Sequence, residues 1–120
     1  MDTPYSEQFR MEYEELLKSE PENIRSLHFL GCWHLKRRSY HQARTYMARL
    51  AGLRRTDPDA WFCLCVCALM SGDFDEGHRA MNKAKNLVMK GDDDVRMKFC
   101  IALDNEKQKE KEKAAALIAK

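Results

Sequence analysis

Glycine and proline are scarce in this 120-residue chain, at 5 and 3 residues, and no run of about 18 apolar residues occurs. The first shortage excludes collagen-like and low-complexity chains. With abundant Ala, Leu, Met, Lys, Glu and Arg, it points to helices. The second excludes a bilayer-spanning helix, so no membrane partner is expected. The opening Met1 to Tyr5 has no basic stretch leading into an apolar one, so no export leader is expected. Cysteine numbers 5, an odd count. Without a leader, reduced thiols in a cytoplasmic compartment are the expectation. The length predicts one domain over 1–120, large enough to bury a core.

Carboxylates are missing altogether from residues 23–56, which carry 8 basic side chains. The flanks run the other way: residues 1–22 hold 2 basic and 7 acidic groups, and residues 57–94 hold 4 and 8. Residues 95–120 return to 7 basic and 4 acidic, leaving a net charge of +2. Two readings stay open. Either neighbouring helices offset one another, or a basic face is kept for an acidic partner.

Comparison of the chain with itself is the most informative test. At a period of 34 residues, Leu27 meets Trp61, Leu30 meets Leu64 and Gly31 meets Cys65. Tyr40 then meets Phe74, Ala43 meets Gly77, Met47 meets Met81, and Leu53 meets Leu87. Asn23, Asp57 and Gly91 share the period at positions suited to helix junctions. Small residues at Gly31, Cys65, Ala43 and Gly77 suit helices crossing at close range. Ser71-Gly72-Asp73 predicts a turn, with Asp73 capping the next helix and Glu76 in capping-box spacing.

Leu27, Leu30-Gly31, Tyr40, Ala43 and Met47, followed by Trp61, Leu64, Gly72 to Gly77, Met81 and Ala84, resemble the tetratricopeptide repeat family. Cys65 stands where that family usually has Gly, Gly77 where it has Ala, and Met89 where it has Pro. The resemblance implies an all-α fold, a right-handed superhelix of antiparallel helix pairs. Residues 5–22 read as a half repeat, 24–57 and 58–91 as repeats, and 92–120 as a half repeat with a capping helix. Six helices are expected, at about 5–19, 23–37, 40–55, 58–71, 74–89 and 92–117.

Chemistry finds little to stand on. Cys63 and Cys67 share a helix face, while Cys65 is turned away, so no tetrahedral thiolate set forms and no metal is expected. His28, Cys32, His34 and His41 lie close in sequence, but no carboxylate is near them in sequence to orient an imidazole. No phosphate-binding glycine loop or nucleophile elbow occurs, so neither enzymatic activity nor a cofactor is expected. Lys36-Arg37-Arg38 and Arg54-Arg55 fall at helix C-termini, where the macrodipole accounts for them; nucleic acid is not the expected partner.

The resemblance implies instead a groove lined by the first helix of each pair. That gives Arg25, His28, Cys32, Leu35 and Lys36, then Asp59, Phe62, Val66, Leu69 and Met70. The helix from Ala60 to Met70 is apolar all round, which means either cover by a partner or burial by the C-terminal helix or a second copy. The expected function is protein binding: an adaptor or scaffold holding a helical or extended segment of another protein. A homodimer or a subunit of a larger assembly both suit so short a stack. The competing reading is a small dedicated chaperone, resembling those of bacterial type III secretion.

Overall fold

A computed structural model describes residues 4–88 and 95–118. The fold is all-α, with six helices: α1 Pro4–Ser19, α2 Ile24–Lys36, α3 Tyr40–Leu53, α4 Pro58–Ser71, α5 Phe74–Leu87 and α6 Val95–Ile118. Each lies within about two residues of its expected bounds where the residues are described. The expected Met89 end of α5 and 92–94 start of α6 lie outside the described residues. Ile24 and Pro58 open helices 34 residues apart, as do Tyr40 and Phe74.

Capping residues set these starts. Asn23 Oδ1 accepts the Ser26 N–H at 2.9 Å, and Asp57 Oδ1 accepts the Asp59 N–H at 3.0 Å. Asp73 Oδ1 accepts the Glu76 N–H at 3.1 Å, one half of the expected capping box. The other half is diverted: the Glu76 carboxylate accepts from Arg44 of α3 at 2.5 Å, and Asp73 Oδ2 from the same guanidinium at 3.4 Å. The carboxylate-free 23–56 stretch and the acidic stretch after it therefore do pair across the α3–α5 contact.

The two turns at this period share a backbone form. Gly72 has φ 95°, and Arg38, 34 residues earlier, has φ 61°. A side chain in the left-handed region costs about 1 kcal/mol, which glycine avoids. Arg38→Gly is accordingly expected to raise stability by about 0.5–1 kcal/mol, read as a higher denaturant midpoint at unchanged slope. A lower midpoint would show that the Arg38 side chain contributes more than its backbone costs.

The core runs through the middle of the chain. Leu27, Leu30, Met47, Cys65 and Cys67 are fully buried. Helix α4 packs against α3, α5 and α6, and seven of its residues are buried. Of the two readings of its all-round apolar surface, burial is the one the structure bears out. Helix α1 packs on α2 through Tyr13 and Phe29, ring centroids 4.5 Å apart.

Helix α6 is held by polar contacts as much as by its short apolar stripe. Asp104 is 2% exposed, and its Oδ2 lies 2.7 Å from Nδ1 of His78 on α5. Its Oδ1 accepts from Gln108 at 3.2 Å, and Gln108 also donates to the Phe74 carbonyl at 3.3 Å. One turn on, Lys111 donates to Asp75 at 2.8 Å, which holds that carboxyl below its usual range. Asp104→Ala is expected to cost about 1–2 kcal/mol, near the low end for charged hydrogen bonds because His78 is half exposed. Amide exchange should then quicken across α6 alone; uniform quickening would show no separate docking of that helix.

Candidate functional site

A groove of about 870 Å³ opens between α2 and α4. Helix α2 supplies Arg25, His28, Cys32 and Lys36 to it, four positions at helical spacing that its caps aim along one wall. The facing wall is the first turns of α4, with Asp59, Ala60 and Cys63. Tyr13 of α1 and Phe29 close the floor, Leu50 of α3 lies buried beneath it, and Arg54 sits at the C-cap of α3.

Five of the ten residues expected to line a groove are brought together here: Arg25, His28, Cys32, Lys36 and Asp59. Leu35 and Val66 are half-buried against the core instead, and Met70 is half-buried away from the groove. Phe62 and Leu69 need correction. They are 3% and 1% exposed and present no side chain to a partner. Phe62 lies where α6 comes down on α4, its carbonyl 3.9 Å from Cys100 Sγ, and Leu69 sits against Gly77 of α5.

Sequence reasoning missed the floor. Tyr13 and Leu50 belong to helices that do not open a repeat pair, whereas the resemblance implies a groove lined by the first helix of each pair. No local pattern shows that these side chains reach the space between α2 and α4. Polar groups at one end are engaged: Asp57 caps α4 and lies 3.9 Å from Arg54. His28 Nε2 lies 3.8 Å from Cys32 Sγ, one turn away.

The thiols here are neutral and soft. Burial pushes the Cys32 thiol up, and burial pushes Cys63 to about 11 and Cys67 to about 12. Across α4, Cys65 is pushed up chiefly by its hydrogen bond with Cys100. All five thiols are free, and among the described residues no three His, Cys, Asp or Glu side chains converge as a metal site would need. Under native conditions near neutral pH, iodoacetamide is expected to reach only Cys32 and, more slowly, Cys63. Mass spectrometry finding Cys65 or Cys100 modified at the same rate would show that α6 is not seated on α4.

Among the described residues, no helix is long and apolar enough to cross a membrane. The chain matches no protein-family model and no curated protein.

Proposed function

We propose that this chain is a non-enzymatic protein-binding module of the tetratricopeptide kind, a right-handed superhelix that holds a partner segment between α2 and α4. The groove carries the reading. Its lining is apolar and aromatic at the floor, charged at the rim, and drawn from four helices whose relative positions the core fixes. Helix starts that recur at 34 residues and left-handed turns at Arg38 and Gly72 support the repeat assignment. The role that follows is an adaptor or scaffold subunit of a cytoplasmic assembly, rather than a reaction centre.

Quantitative mass spectrometry after co-purification tests this, with the wild-type chain beside His28→Trp. His28 is exposed, so the added indole should fill the groove and leave the helices intact by circular dichroism. The expected result is a partner set held by the wild type and lost from the folded variant. Identical sets would remove the groove as the binding site.

A further inference from the structure

Charge on the two walls of the groove is unequal, and the inequality says what kind of segment fits. Arg25 and Lys36 stand at opposite ends of the α2 wall, 11 residues apart, which is about 16 Å along a helix. Both are exposed, and neither has an ion-pair partner among the described residues. Neighbouring cations are engaged elsewhere: Arg54 lies beside Asp57, Arg49 donates to the Pro21 carbonyl, and Arg44 pairs with Glu76. Two carboxylates also line the groove, Asp57 and Asp59 at the start of α4. Between the two cations on α2 lie His28, Phe29 and Cys32, and Cys63 faces them from α4, its thiol neutral.

We propose that this groove selects an amphipathic helical segment of a partner protein, apolar on the buried side and carrying carboxylates about three turns apart that meet Arg25 and Lys36. The proposal rests on the protein-binding reading above and adds the chemistry of the partner. A helix fits better than an extended strand because the floor between the cations is apolar. A strand laid there would leave its backbone N–H and C=O groups unpaired, whereas a helix satisfies its own. The cations set orientation and disfavour basic segments, since a lysine placed beside Arg25 or Lys36 meets a like charge that forms no ion pair of its own. A free C-terminal carboxylate plays no part.

Titration calorimetry at low salt tests it with a designed helical peptide about five turns long, acetylated and amidated, with a leucine face and two glutamates three turns apart. Its counter-probe carries lysine at those two positions. The glutamate peptide is expected to bind at least about tenfold more tightly than the lysine peptide. The double variant Arg25→Glu, Lys36→Glu, at exposed positions that leave the fold intact, should reverse the order. Equal affinities would overturn the charge selection and leave the groove reading standing. Failure of both peptides to bind would also overturn this proposal, while the His28→Trp comparison judges the groove separately. Binding to phosphatidylserine vesicles that the glutamate peptide does not displace would overturn it in favour of an anionic lipid surface.

Discussion

Phe62→Glu leaves the chain largely unfolded at room temperature. The side chain is 3% exposed on the central helix α4, beneath α6. Its loss removes a buried aromatic, about 3–5 kcal/mol for truncation alone. The glutamate that replaces it must be buried as a charge without a partner or be protonated at further cost. Against a total of about 5–15 kcal/mol for a native domain, the sum removes most or all of the stability. Circular dichroism and a thermal melt read it directly. A cooperative transition within a few degrees of wild type would return Phe62 to the surface and make α4 a docking face after all.

Gly31→Leu is expected to cost at least about 3 kcal/mol, the upper range for overpacking. A Cβ at Gly31 would already stand 2.6 Å from Met47 Cε, where α2 and α3 cross. Smaller changes sharpen the argument. Gly31→Ala meets the unbranched Met47 side chain and no backbone atom, Cε at 2.6 Å, Sδ at 3.0 Å and Cγ at 3.2 Å, so the helix preference for alanine, about 1 kcal/mol, offsets the crowding and leaves stability nearly unchanged. Gly77→Ala meets Leu69 at 2.5 Å from Cδ2 and 2.6 Å from Cγ, with the Leu69 backbone nitrogen at 3.3 Å. A branched side chain seated on backbone has nowhere to go. That variant should lose about 1–3 kcal/mol, although alanine is the residue usual at this place in the family it resembles. Equal denaturant midpoints for the two alanine variants would contradict the close crossing of α4 and α5.

Much of this architecture was legible in the residues. Periodic apolar positions and the caps Asn23, Asp57 and Asp73 act locally, within one turn, so helix bounds could be read from them. Small residues marked the crossings because close approach tolerates nothing larger. What was not legible depended on the far end of the chain. Whether Phe62 lines a groove or a core is decided by α6, some forty residues later, whose seating rests on Asp104, His78 and Gln108. No local pattern announces that pairing. The left-handed backbone at Arg38 was hidden for a related reason: arginine carries no turn preference, and the neighbouring helices impose the conformation.

The groove itself was half legible. Its α2 wall follows from one helix and its spacing, so Arg25, His28, Cys32 and Lys36 were found together. The floor takes Tyr13 and Leu50 from two other helices, and their reach is a property of packing.

Photo-crosslinking in the intact assembly tests the central claim most directly. Benzoylphenylalanine is placed at His28 in the groove, and in a parallel protein at Gln42 on the exposed side of α3. A discrete crosslinked partner is expected from position 28, mapping to an acidic amphipathic segment, and none of that product from position 42. The same product from both positions, or a discrete partner from Gln42 alone, would contradict a protein-binding groove between α2 and α4.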